Sequence, residues 1–318
     1  MHNKKSSAVL IYLMFFTVTP SVFSQSNTTY DFLKHDAGAR PSSLAGSFTS
    51  NANDVLSLFY NPAGLSTLKK SQASLGFYKY MLDVNAGNIA VGQKYKDIGY
   101  LGGAIRYINY GSFEKYDEES NNLGTFGANE IALSFGYANV YKNNFHYGAN
   151  LKFIYSGIDE FSSTALACDL GILYTITDSK WNFGLSLLNA GFQLSEYNST
   201  GEDLPLDLRF GVSKKLEHLP LNIHFEFDDL ASYEENFFDR FQNLSVGGEF
   251  DFSKNFQFRI GYNNTQRQDM STGSSTGIAG FTAGFGLLFL DNYTFDFGYN
   301  SLGNVGSAYT LNLGYDWK

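Results

Sequence analysis

The sequence has a single cysteine in 318 residues, so neither an internal disulfide nor a multi-cysteine metal cluster is possible. Basic residues are in the minority, with 22 Lys and Arg against 31 Asp and Glu and a net charge of −9. Nucleic acid is therefore not expected as a partner, because phosphate binding needs clustered cations. Beyond the first two dozen residues no apolar run approaches the length of about eighteen that a membrane-spanning helix needs. No H-E-x-x-H motif and no Ser, His and Asp at recognisable spacing are present, so neither an enzyme nor a cofactor is expected. Hydrophobic residues make up only 43%, while aromatics reach 17%. That balance is unusual for a globular core and suits a chain whose apolar side chains occupy alternate positions.

Such alternation is present. In Phe145 to Tyr155 every second residue is apolar or aromatic, and His146, Gly148, Asn150 and Lys152 lie between them. Leu166 to Ile176 repeats the pattern, with Cys168 on the apolar side as a small hydrophobe. A strand sends successive side chains to opposite faces, so each segment has one greasy and one largely polar face. About ten residues is long for a soluble strand and right for one crossing a bilayer at a tilt. Counting onward from Ser71 gives about fourteen such segments, an even number. After the first, their connections alternate between short and mostly longer, as periplasmic turns and outer loops do. Both termini are then expected at the short-turn end. The longer loops carry acidic clusters: Glu114, Asp117, Glu118 and Glu119; Glu202 and Asp203; Glu234, Glu235 and Asp239. The short turns favour lysine. Solvated loop tips explain the acids, and an acidic rim for a partner protein or divalent cations is the sharper alternative.

Residues 1–24 have the form of an export signal. Lys4 and Lys5 precede the apolar run Ala8 to Val18, and Val22 and Ser24 allow cleavage before Gln25. Residues 25–70 fit neither helix nor strand period and are expected to form a hatch inside the barrel of residues 71–318. Asp54 is placed to cap a short helix that Asn61-Pro62 ends, and Gly64 to free the following turn. The fold class expected is all-β: a transmembrane antiparallel β-barrel of about fourteen strands with an N-terminal hatch segment, in the bacterial outer membrane.

Phe32-Leu33-Lys34, Gly38-Ala39-Arg40-Pro41, Leu44-Ala45-Gly46-Ser47-Phe48, Asn53-Asp54 and Asn61-Pro62-Ala63-Gly64-Leu65 resemble the opening of PorV/PorQ-family outer-membrane proteins, within the wider FadL-like barrels. The resemblance covers about a tenth of the chain. It implies a role in type IX secretion, with other secretion subunits or cargo C-terminal domains as partners. The alternative is a FadL-like channel for hydrophobic small molecules, with a hydrophobic ligand and an apolar pocket beside the hatch. It also implies a hatch turn at Asn61, Pro62 and Gly64, and a kink in the third strand at Gly102 and Gly103 against that turn. The resemblance puts Arg106 below that kink in the lumen; period alone turns Lys152, Asp169, Arg209, Glu226 and Arg259 inward, where salt bridges are the simplest account of them. If the lumen is wet at Gly171, arginine there should be milder than arginine at Leu170.

Overall fold

Segments with one apolar and one polar face need a sheet that separates two environments, and the chain closes such a sheet on itself. The computed structural model describes residues 29–80, 83–197, 201–232, 237–270 and 277–317. The expected export signal, and Glu234 and Glu235 of the acidic loop, lie outside the described residues. The strands are β1 (Ser71–Lys79), β2 (Asn85–Tyr95), β3 (Gly99–Tyr116), β4 (Asn122–Tyr141), β5 (Phe145–Ile158), β6 (Phe161–Ile176) and β7 (Trp181–Ser195). They continue with β8 (Asp207–Lys215), β9 (Leu221–Phe227), β10 (Leu244–Asp251), β11 (Phe256–Asn263), β12 (Phe281–Phe289), β13 (Tyr293–Ser301) and β14 (Ser307–Trp317). Each pairs antiparallel with its sequence neighbours, and β1 pairs with β14, so fourteen strands form a closed barrel.

The faces follow the alternation. Leu151, Phe153, Leu170, Ile172, Phe210 and Leu313 are exposed on the outside, while Lys152, Asp169, Arg209 and Asn312 are buried within. Aromatic pairs collect near the short turns: Tyr141 with Phe145, Trp181 with Phe183, Phe289 with Tyr293, and Tyr315 with Trp317. Others, such as Phe113 with Phe126 and Tyr299 with Tyr309, sit toward the opposite rim. Two aromatic girdles flanking an apolar band mark a barrel of the outer-membrane type.

One expectation is corrected. The long loop expected over residues 110–129 is mostly hairpin. β3 and β4 run on past the other strands, with Phe113 opposite Phe126 and register shifts between Asn109 and Ser112 and between Lys115 and Tyr116. Glu114 is an exposed ladder position opposite Thr125, and Asp117, Glu118 and Glu119 form the turn that follows. Thr29 is the first described residue. It donates a 2.8 Å bond to Glu202 in the loop after β7, so the chain enters the described structure at the long-loop end, while β14 ends at the short-turn end as expected; the N-terminus itself lies outside the described residues.

Residues 29–70 occupy the lumen. They form three 3-10 turns (Asp31–Lys34, Val55–Phe59 and Pro62–Thr67) and one short helix, Ala39–Ser43. Leu44, Phe48, Val55, Leu58, Phe59, Tyr60 and Leu65 make a core with Ala90, Ala104 and Ala138 of the wall. Tyr30, Phe32 and Leu33 make a second with Ile108, Ala132, Ile154 and Ala165. Small inward residues on the strands leave room for large ones on the segment. Burying each Leu or Phe contributes roughly 1.5–3 kcal/mol.

The filled lumen also corrects the comparison between positions 170 and 171. A side-chain carbon at Gly171 would meet the ring of Pro62 at 2.8 Å, so there is no wet space there. Leu170→Arg should cost roughly 2–4 kcal/mol near the bilayer midplane. Gly171→Arg should be no milder, because it displaces the lumen segment. Urea unfolding of the reconstituted barrel measures both, and a tolerated Gly171→Arg would contradict the packing.

Candidate functional site

The chemistry of this molecule lies where the lumen segment meets the wall. Arg40 is the centre of one contact. Its Nε and Nη2 each lie 2.8 Å from a Glu249 oxygen on β10, and its Nη1 lies 2.9 Å from Asp54. Arg259 on β11 donates to the same Glu249 at 2.7 Å and to Asp296 on β13 at 2.6 Å. Burial acts to lower the pKa of Arg40, but Glu249 and Asp54 outweigh it and raise it, so the guanidinium stays charged.

A second contact is built on β8 and β9. Glu226 accepts from the Thr49 amide at 2.7 Å and the Thr49 hydroxyl at 2.8 Å. Arg209 lies 3.6 Å from Glu226, bonds Asp207 at 2.6 Å, and stands over the Tyr60 ring with its guanidinium carbon 5.8 Å from the centroid. The Tyr60 hydroxyl donates to Asp36 at 3.2 Å and accepts from the Ala37 amide at 2.7 Å. Burial pushes the Asp36 carboxyl up, partly offset by Arg209, and pushes the Tyr60 phenol well up, helped by Asp36.

A third contact uses β5 and β6. Asn150 donates to the Leu58 carbonyl at 2.7 Å and to Asp169 at 3.1 Å. Lys152 pairs with Asp169 at 2.9 Å and with Asn189 at 2.7 Å. Higher in the barrel, Arg106 donates to the carbonyls of Phe32 and Leu33 at 3.1 and 2.6 Å, its guanidinium carbon 5.0 Å from the centroid of the Phe59 ring. All six residues expected to face the lumen, Arg106 from the resemblance and five from period, are buried. Three of them, Arg106, Arg209 and Glu226, also hold residues 29–70 in place, while Lys152, Asp169 and Arg259 bond to other wall residues. The sequence did not single out Arg40, Thr49 or Asn150 for this. Arg40 sits in the quoted Gly-Ala-Arg-Pro piece, but nothing in its spacing points to Glu249.

The turn at Asn61, Pro62 and Gly64 is present, with corrections. Asp54 caps Val55–Phe59 by accepting from the Leu56 amide, and Asn61 caps Pro62–Thr67 by accepting from the Ala63 amide. Gly64 is not in the left-handed region. It is small because a side chain there would come within 2.6 Å of the Ser57 Cβ. The Asn61-Pro62 turn lies against β5 and β6, not against β3. Asn61 donates to the Ile172 carbonyl at 2.9 Å, and a Cβ at Gly148 would strike the Pro62 backbone at 2.6 Å. The expected kink at Gly102 and Gly103 is absent. Both residues pair without interruption, with Gly92 and Val91 on one side and Gly136 and Phe135 on the other. Gly102 instead makes room: a Cβ there would approach Leu58 at 2.9 Å and Leu65 at 3.1 Å, whereas Gly103 has nothing nearer than 3.8 Å.

Several spaces adjoin this interface, one of about 290 Å³ lying against Arg40, Asp54, Glu249, Asp251, Asp296 and Asp316. A vestibule of about 1190 Å³ opens at the short-turn end beneath Asn51, Asn53 and Thr67. An apolar groove of about 650 Å³ runs along the outer wall, between Leu75, Phe77, Ile89, Ile105, Phe295 and Leu311. Behind it, inside the barrel, a seam of about 10 Å³ separates Phe32, Ala37, Tyr78, Tyr80 and Ile108. The apolar pocket expected beside the hatch for a channel is thus closed to a seam. Gly87 and Asn88 border both seam and groove. Gly87 sits on the outer face between Phe77 and Tyr107, and has no side chain to fill the gap.

The chain has the fold of the FadL-like barrels. The toluene transporter TbuX of Ralstonia pickettii superposes with a TM-score of 0.60 over 90% of this chain and 99% of its own, at 11% identity. The toluene transporter TodX of Pseudomonas putida gives 0.59 over 91% and 98%, also at 11%. A Pseudomonas aeruginosa FadL homologue gives 0.55 over 89% and 98%, at 12%. No protein-family model and no curated protein matches the sequence. Membership of the PorV/PorQ family is not among these findings.

Arg40→Met leaves Glu249 and Asp54 short of a cation and should destabilise the barrel by roughly 3–5 kcal/mol, with the double change Arg40→Met, Glu249→Met recovering part of the loss. Denaturant titration of the three variants checks this. Gly102→Val should cost roughly 1–3 kcal/mol through overpacking against Leu58 and Leu65, while Gly103→Val should be close to neutral. Equal effects in the same titration would restore a kink spanning both glycines.

Proposed function

We propose that the protein is an outer-membrane channel for hydrophobic small molecules, seen closed, with residues 29–70 acting as its hatch. The observation that carries this reading is the thin wall at Gly87. An apolar groove facing lipid and a seam against the hatch lie back to back there, separated by backbone without a covering side chain. A solute leaving the seam at this point would enter an apolar groove instead of water. The likeness in fold to TbuX and TodX, described as toluene transporters, supports the same reading. The opening is not assigned to Gly102 and Gly103, whose ladder is unbroken. Lipid and a hydrophobic ligand are the partners, and no chemical step is required of the chain.

A second reading is a type IX secretion component that binds secretion subunits or cargo C-terminal domains. The filled lumen favours it, because a barrel that anchors proteins has no need of an open pocket, and so does the PorV/PorQ-like opening around Arg40 and Asn61.

The test expresses the protein in an outer-membrane host that lacks its own hydrocarbon channel and follows uptake of radiolabelled toluene and of a long-chain fatty acid. The channel reading expects faster uptake of at least one, with most of the gain lost in Gly87→Trp at equal outer-membrane level and kept in Gly103→Val. No gain with either solute, together with secretion subunits recovered by crosslinking from the native membrane, would replace it with the second reading.

A further inference from the structure

The vestibule at the short-turn end carries charge opposite to that of the chain as a whole. The protein bears −9, yet lysines and Arg40 crowd this mouth and Glu249 is the one carboxylate among the residues that line it. Glu249 is already held by Arg40 and Arg259. Lys215 is matched by Asp251 at 2.7 Å. Lys69, Lys94 and Lys180 have no carboxylate within ion-pair distance among the described residues, and Lys70 reaches the Asn292 amide oxygen at 3.0 Å. Deeper in the same wall His224 is 3% exposed, and neither of its ring nitrogens has a hydrogen-bond partner among the described residues. A buried polar group without a partner costs free energy comparable to a lost hydrogen bond, so a donor or acceptor brought in through the vestibule would be favoured there. Asn143, Asn182 and Asn222 add neutral amides between the cations.

We infer that this vestibule is the docking site for an acidic, extended segment of a periplasmic partner protein. Charge complementarity identifies the occupant. The unmatched groups are cations and neutral amides, which suit carboxylates and backbone carbonyls. At about 1190 Å³ the space exceeds the roughly 300–1,000 Å³ of usual small-molecule sites. Its cations are spread around the mouth instead of converging on one point, as an extended chain with several carboxylates requires. Short turns face the periplasm in outer-membrane barrels, so the partner approaches from that side. A segment seated here would touch Asn51, Asn53 and Thr67 of the lumen segment and the barrel strands together. The inference does not depend on which solute or protein the barrel handles.

The test uses the full-length protein in detergent micelles and a fluorescent Asp/Glu-rich peptide of about ten residues, read by anisotropy. An isosteric Asn/Gln peptide and free citrate serve as comparisons. The acidic peptide should bind, with affinity falling as salt rises, and the Asn/Gln peptide should bind at least about tenfold more weakly, a difference of about 1.4 kcal/mol. The triple change Lys69→Gln, Lys94→Gln, Lys180→Gln should lose at least a similar factor. His224→Phe should also weaken binding while leaving the salt dependence in place. The heat-modified gel mobility of a folded barrel confirms that each variant is assembled. Equal binding of the two peptides, unchanged binding by the folded triple variant, or citrate binding as tightly as the peptide would each overturn the proposal, the last by showing a small-anion site.

Discussion

In a bilayer every backbone amide and carbonyl of a crossing strand must be paired within the protein, because no water is available to replace a missing partner. That requirement makes β1 meet β14. The ladder from Ser71 opposite Trp317 to Lys79 opposite Tyr309 removes both edges of the sheet at once. Closure has a consequence inside. A barrel of this size encloses a lumen that strand side chains alone do not fill, and residues 29–70 take the remaining space. Alanines 90, 104, 132 and 138 and glycines 102, 148 and 171 on the inner wall answer to that occupant, not to the sheet. The outer wall answers to lipid and is mostly large and apolar; Gly87, like Gly103 and Gly248, is one of its glycines, and it is the one that borders the lumen seam.

The contacts holding the segment differ along the barrel axis. Toward the long loops they are largely apolar, with Phe32 and Leu33 against Ile108, Ala132 and Ile154. Around Arg40 and Thr49 they are ionic and hydrogen-bonded. Ionic contacts of this kind give little net stability relative to apolar packing, because desolvating the charges offsets most of their attraction. What they give is a definite seat: a guanidinium in fork geometry on one carboxylate accepts few alternatives. The bulk of the segment's burial is apolar, through Phe48, Leu58 and Leu65, so the ionic contacts set its register on the wall while the apolar ones hold it there.

The sheet was legible in the sequence because its signal is local. Alternation in Phe145 to Tyr155 reflects two environments on two sides of one strand, and no distant residue is needed to see it. Each of the fourteen segments counted from the sequence overlaps a strand. The method failed where the environments stop differing. Past the bilayer, Ser112 to Tyr116 and Asn122 to Ala128 are wet on both faces, so their pairing left no pattern. The lumen contacts were less legible for a different reason. Period showed that Glu226 and Arg209 point inward, but their partners Thr49 and Tyr60 are more than a hundred residues away. Gly102 was seen to matter for the wrong reason. Glycine in a strand is equally compatible with a bulge and with a close neighbour, and only the position of Leu58 and Leu65 separates the two.

The seam at the thin wall and the cationic vestibule lie at opposite ends of the same segment. Phe32 and Ala37 border the first, and Asn51, Asn53 and Thr67 border the second. Between them the chain is continuous through Leu44, Phe48, Leu58 and Leu65, which pack as one core. Close-packed cores shift between discrete arrangements and do not deform gradually. An acidic segment that drew on the lysines at the mouth would compete with Glu249 and Asp54 for Arg40, the cation that seats the middle of the core. Loss of that seat would free the half of the segment that closes the seam. On the channel reading proposed above, the ionic contacts are the ones a charged partner could exchange, whereas the apolar ones offer it nothing to replace.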